Sequence, residues 1–190
     1  MNRLFYNRVY LAGPIDFAPD FGVGWRIKVQ KELDDLNLFF FDPCHKPMFP
    51  GYECPDLEDH ARRQQLKLNE DWLTLAQDMR VIRCIDLRMC DLCDWAILHL
   101  DINCYSTGSH EELTTLNRRK APILFHMEQG QRAVPDWIRG ELPPELIFDN
   151  WEKLFSYVRH IAHSPEKIDT LGRWQFFDYA RLYREAVGKL

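Results

Sequence analysis

Two acidic side chains, far apart in the chain, have the surroundings that carboxylate chemistry needs. The first lies in "STGSHEEL" (Ser106 to Leu113), directly after the strand-like run "DWAILHLD" that ends at Asp101. Ser109 and Glu112 stand at the S-x-x-E spacing of a capping box. In that arrangement Ser109 caps a helix start and Glu112 reaches back to the Ser109 backbone N–H. The same Glu112 could instead be a working carboxylate at the mouth of a sheet. Glu111 reads as a solvated first-turn acid favoured by the helix dipole, and His110 as an exposed neighbour. The second acid is Asp86. It falls on an apolar helical stripe of Trp72, Leu75, Met79, Ile82 and Met89, four residues after Ile82 and three before Met89. An acid on such a stripe needs a partner or a cavity. Backbone donors could satisfy it, or desolvation could raise its pKa, as a general acid requires. Asp94, off the stripe, reads as a helix-end residue. Two carboxyl groups flanking a glycosidic carbon suit either water-driven or covalent transfer, and spacing alone does not choose.

The elements that must carry these residues alternate strand and helix. "RVYLAG" is a buried-type strand closed by Gly13-Pro14, and "GWRIKVQKELDDL" has helical spacing from Gly24 to Leu36. "LFFFDP" is a second strand, ended by a proline that forces an extended exit. A long, aromatic loop follows from Cys44 to Asp56 and is expected to cover a pocket. One helical region runs from about Leu66 to Cys93, leading into "DWAILHLD". "SHEELTTLNRRK" is the next helix, "APILFHME" the fourth strand and "LIFDN" the fifth. A helix from Trp151 to His163 completes the series. The expected fold class is therefore α/β, a mainly parallel five-stranded sheet flanked by helices, flavodoxin- or Rossmann-like. Residues 1–163 form this domain, and 164–190 form an amphipathic helical extension, with Trp174, Phe177 and Ala180 on helical spacing, packed on the domain or on a second subunit. Ligands of such sheets bind outside the carboxyl ends of the strands. That rule selects Gly13, Pro14, Ile15 and Asp16, then Asp42 and Pro43, then Asp101 and the loop to Gly108.

Composition narrows the classes further. The chain has 190 residues, 46% of them hydrophobic, and a net charge of −5 with scattered basic residues. This argues against disorder and against a polyanion-binding stripe, so no nucleic-acid polymer is expected as partner. No apolar run approaches the roughly 20 residues of a membrane helix, and the N-terminal segment lacks a signal-peptide layout. A cytoplasmic protein with reduced thiols is expected. Cys90-x-x-Cys93 lacks a second ligand pair to complete a zinc set, so neither metal nor cofactor is expected. A zinc deaminase would need His-x-Glu followed by Pro-Cys-x-x-Cys, which the chain lacks.

Four segments in order resemble the nucleoside 2-deoxyribosyltransferase superfamily, which includes the 2'-deoxynucleoside 5'-monophosphate N-hydrolases. They are "VYLAGPI" with the "WR" of the following helix, "FDP", "IDLRMCDLCDWAIL", and "STGSHEEL", whose Gly108-Ser109-x-x-Glu112 is similar to the family's G-[ST]-x-x-E element. The resemblance spans Val9 to Glu128. It implies that Glu112 is the nucleophile attacking C1' of a 2-deoxyribosyl group, that Asp86 protonates the leaving base, and that Tyr10 orients Glu112. It also implies substrate contacts from Gly13, Pro14, Ile15, Asp42, Asp101, Ser106, Gly108 and Ser109. The implied activity is transfer of deoxyribose between nucleobases. Hydrolysis of a deoxynucleoside or its 5'-monophosphate is the alternative, and the implied assembly is a homo-dimer or larger. The sequence departs from the family in lacking a serine and arginine phosphate clamp beside the glycine turn. Arg26 could serve there or pair on its helix surface, and a nucleoside substrate is the expectation. The aromatic C-terminal segment leaves one further alternative, a non-catalytic nucleotide-binding module.

Overall fold

A computed structural model describes residues 2–46 and 57–188, with the side chains of 57–59 outside that description. Five strands form one sheet: β1 (Arg8–Ala12), β2 (Phe39–Phe41), β3 (Trp95–Leu100), β4 (Ile123–Met127) and β5 (Ile147–Phe148). All pairings are parallel and the order is β2-β1-β3-β4-β5. The helices are α1 (Val23–Glu32), α2 (Leu57–Leu68), α3 (Trp72–Leu92), α4 (Thr107–Arg118), α5 (Asp136–Glu141), α6 (Trp151–His163) and α7 (Tyr179–Val187). The expected fold class holds.

Every residue of β3 and β4 is buried. This is the pattern of parallel strands covered on both faces, and it explains why "WAILHL" reads as a continuous apolar run. Alternate side chains feed two cores. Tyr10, Ala12, Ala96, Leu98, Ile123 and Phe125 face α3 and α4, where Ile85, Met89, Leu113 and Leu116 meet them. Val9, Leu11, Trp95, Ile97 and Leu124 face the other way, onto Val29 of α1, Leu33 just past its end, and Leu154, Val158 and Ile161 of α6.

Three boundaries differ from expectation. The helical region expected from about Leu66 is two helices. α2 ends at Leu68, Glu70 takes a left-handed φ of 54°, and the Asp71 side chain accepts the Thr74 N–H at 3.1 Å to start α3. An N-cap aspartate in mid-pattern is what separates them. The helix expected to reach Leu36 stops at Glu32, and a 3-10 turn over Asp34–Leu36 still buries Leu36. The C-terminal segment is helical only from Tyr179, where Asp178 caps the Arg181 N–H. Trp174, expected on a helix face, lies in an extended approach. It is buried against Trp95, and its indole N–H donates to the Tyr157 hydroxyl at 3.0 Å. Arg173 donates to the Ala121 and Glu141 carbonyls and to Asn117. Tyr179 donates to Asp94, which also receives a bidentate Arg8. Asp94 thus ties the start of β1, the end of α3 and the C-terminal segment together. The pocket-covering expectation for the loop after β2 falls largely on 47–56, outside the described residues.

This packing predicts a sharp contrast. Trp174→Ala should lower unfolding stability in urea by about 3–5 kcal/mol. Leu182→Ala, at a half-exposed position on α7, should change it by no more than about 1 kcal/mol.

Candidate active site

The sheet order reverses direction between β1 and β3, and open parallel sheets place their binding crevice at such a switch point. A cavity of about 320 Å³ lies there. The chain leaves β1 through Gly13, where a Cβ would come within 2.8 Å of the Trp25 ring and 2.9 Å of the His99 carbonyl oxygen. Only glycine lets the backbone pass that close while lining the cavity.

Glu112 reaches the cavity from the second turn of α4 and is buried. The Tyr10 hydroxyl, projecting from the centre of β1, donates to Glu112 Oε1 at 2.6 Å. The expected capping box is absent. Helix α4 begins two residues before Ser109, with Ser106 at the N-cap, and the Ser106 and Ser109 hydroxyls bond each other at 2.5 Å. Ser109 is therefore inside the helix, and Glu112 has turned to a buried phenol instead of its own backbone. Glu111 points outward into an ion pair with Arg83 of α3. Adjacent glutamates thus face opposite environments.

Asp86, on the inner side of α3, lines the same cavity beside Met79 and Ile82. Its partner is a side chain and not a backbone donor. The Lys46 ammonium, buried just past the exit of β2, pairs with its carboxylate. Burial raises the Asp86 pKa while the Lys46 charge opposes the rise. Burial pushes Glu112 up to about 7. The Tyr10 hydrogen bond pulls against that shift and the Asp86 charge adds to it. Burial, with the Glu112 charge behind it, raises the Tyr10 phenol well above its ordinary value, so Tyr10 remains a donor. The ensemble holds one carboxyl poised near neutrality and a second carboxyl tied to an ammonium, beside an apolar wall.

Of the residues the sequence singled out, Glu112, Asp86, Gly13, Ile15, Ser106, Gly108 and Ser109 line this cavity, and Tyr10 stands behind Glu112. Pro14 does not line it; its carbonyl lies against Gly22. Asp42 builds the turn after β2, accepting the Cys44 N–H at 2.8 Å and Gln30 Nε2 at 3.0 Å. Asp101 holds the loop after β3, accepting the Asn103 N–H at 2.8 Å and Gln129 Nε2 at 2.5 Å. Arg26 neither lines the cavity nor sits on a helix surface. It is fully buried, donating to the carbonyls of Leu11, Gly13 and Gly22, with Asp42 3.6 Å away. Lys46 and Arg63 line the cavity and were not anticipated. Lys46 follows the Asp42-Pro43 strand exit closely enough to have been suspected. Arg63 lies on α2, whose facing is set by packing on α3. Cys90 and Cys93 are buried free thiols whose pKa values burial raises, as expected of structural cysteines. No helix among the described residues is long and apolar enough to cross a membrane.

No protein-family model matches the chain, and no curated protein sequence matches it. Among solved structures, the chain is similar to a 2-deoxyribosyltransferase from the psychrotolerant bacterium Bacillus psychrosaccharolyticus, with 20% identity and a TM-score of 0.55. The match covers 84% of this chain and 99% of that one. The five-stranded parallel architecture built above is the fold of that deoxyribosyltransferase.

Proposed function

We propose that this chain is a nucleoside 2-deoxyribosyltransferase-like enzyme that cleaves the N-glycosidic bond of a 2'-deoxyribonucleoside and passes the sugar to another nucleobase. The observation that carries this reading is the meeting of Glu112, held by Tyr10, and Asp86, held by Lys46, in one cavity at the switch point of the sheet. The fold likeness adds to it.

The geometry supports a two-step displacement. Tyr10 occupies Oε1 of Glu112, leaving Oε2 to attack C1' of the sugar. As the new C–O bond forms, the C1'–N bond breaks and its electron pair stays on the base nitrogen. The proton that neutralises the base comes from the Asp86–Lys46 pair, since a leaving base departs more easily when protonated. The missing 2'-hydroxyl makes the oxocarbenium-like transition state easier to reach. In the second step an incoming base attacks C1' through a ring nitrogen, returns its N–H proton to the Asp86–Lys46 pair and releases the Glu112 carboxylate, the logic of a retaining double displacement. Water in place of that base would give hydrolysis.

The cavity also favours a second reading of the donor. Arg63 is buried in its lining, and among the described residues it has no hydrogen-bond or ion-pair partner. A buried guanidinium without a carboxylate suits an anionic group, and a 5'-monophosphate would supply one.

Three measurements test these readings. Incubation with a deoxynucleoside, with and without an acceptor base, should yield a new nucleoside with the acceptor; free deoxyribose as sole product would make the chain a hydrolase. In that assay Glu112→Ala should lose roughly three orders of magnitude in rate or more, while Glu111→Ala stays within about twofold. The reverse pattern would overturn the assignment. Single-turnover sugar transfer to the enzyme should rise with pH through about 7, as Glu112 ionises. Tyr10→Phe removes the bond that favours the carboxylate and should move that limb to higher pH; an unmoved limb would detach Tyr10 from the nucleophile. For the donor, Arg63→Ala should lower kcat/KM for a deoxynucleoside 5'-monophosphate by about tenfold or more and leave the nucleoside nearly untouched. Equal effects would remove the phosphate reading.

A further inference from the structure

Behind the cavity, on the opposite face of the sheet, the C-terminal edge carries a cluster the catalytic reading does not use. His99 is the penultimate residue of β3 and His126 the penultimate residue of β4, and strand register places them opposite each other. Both are buried, and their Nδ1 atoms are 2.9 Å apart. Glu128 follows His126 by two residues, so it falls on the same face of the extended chain. Its backbone N–H donates to the Leu100 carbonyl and continues the ladder. Its carboxylate reaches to 3.9 Å from His99 Nε2. One donor atom from each of the three residues lies within 4.8 Å of the other two.

We propose that His99, His126 and Glu128 form a binding site for one divalent transition-metal ion, with zinc as the first choice. Two imidazoles and one carboxylate are the donor set of borderline-soft divalent ions, and they leave coordination positions open. A metal bond to nitrogen is about 2.0–2.1 Å long, so two nitrogens 2.9 Å apart need only a small opening to share one ion. The Glu128 carboxylate stands nearest the other His99 nitrogen, Nε2, and its half-exposed side chain has to swing toward the Nδ1 pair to complete the donor set. The supporting shell is aromatic and fixes both rings. Trp151 stacks on His126 at 4.0 Å and 18°, and Trp25 flanks His99 at 5.2 Å. Charge around the rings is mixed. Asp20 and Asp101 act on His99, and Asp149 and Glu152 act on His126, against Arg26 and Lys28. Asp42 lies 3.6 Å from the Arg26 guanidinium and offsets its charge.

The cluster meets the catalytic side at Gly13, which packs against the His99 carbonyl. A metal there leaves the Glu112 and Asp86 chemistry in place, so its fate is separable from the proposed activity. The test is titration of the chelator-treated full chain with zinc by calorimetry, and with cobalt(II) by visible absorption and tryptophan fluorescence. One ion per chain, quenching of the stacked Trp151 by cobalt, and loss of both in His126→Gln are expected. Glu128→Gln, at a half-exposed position that should not disturb folding, should weaken binding by about tenfold or more. Glu112→Gln should bind as the unaltered chain does. Absence of stoichiometric binding, or binding that survives His126→Gln or is indifferent to Glu128→Gln, would overturn the site and leave a hydrogen-bonded histidine pair.

Discussion

The hydrogen bond from Tyr10 to Glu112 joins the centre of the sheet to the helix that follows β3, across 102 residues of chain. Almost everything about the cavity depends on it. Without that donor a buried carboxylate has no reason to point inward, and Glu112 would serve as the backbone cap that its spacing suggests. With it, helix α4 must start early enough to aim its second turn at β1, which is why Ser106 rather than Ser109 stands at the N-cap. The phenol does not cancel the desolvation of the carboxylate. It moderates that desolvation and leaves the group titrating near neutrality instead of locking it in one state.

The second acid obeys a different rule. Asp86 is paired directly with an ammonium and so keeps access to charge despite burial, whereas the hydrogen-bond partner of Glu112 is a neutral phenol and the charges of Arg26 and Lys46 act on it without direct contact. Two carboxyls in one small cavity raise each other's pKa unless one is compensated. Lys46 supplies that compensation at Asp86, opposing the rise that burial imposes there. In the proposed reaction this separates the roles: the uncompensated carboxyl bonds to the sugar, and the compensated one handles the proton of the base.

Much of this was legible in the sequence because it rests on short-range pattern. The all-buried β3 and β4, the helix from Trp151 to His163 and the acid on the Met79–Met89 stripe each follow from periodicity over a few turns or residues. The role of Glu112 was ambiguous for a physical reason. Ser-x-x-Glu serves a local cap and a tertiary hydrogen bond equally well, and only the position of Tyr10 decides. Asp42 and Asp101 follow strand ends as the crevice rule requires, yet each is used up by a backbone donor of its own turn and a glutamine amide from a neighbouring segment. Arg63 could not be read at all, because the facing of α2 is set by contacts with α3 and not by its own composition.

The two histidines behind the cavity have the same cause at longer range. His99 and His126 are ordinary interior residues of two apolar runs until parallel register sets them side by side. Register in a parallel sheet is fixed by the whole βαβ connection, here by α4 packing on its own strands, so the pair is a consequence of topology. Gly13 is the seam between this pair and the cavity that Glu112 lines. It packs on the His99 carbonyl with one side and lines the cavity with the other. A side chain at that position would press on the Trp25 ring and the His99 carbonyl, so the same glycine that admits a ligand to the backbone also lets the end of β1 lie against the histidine strand.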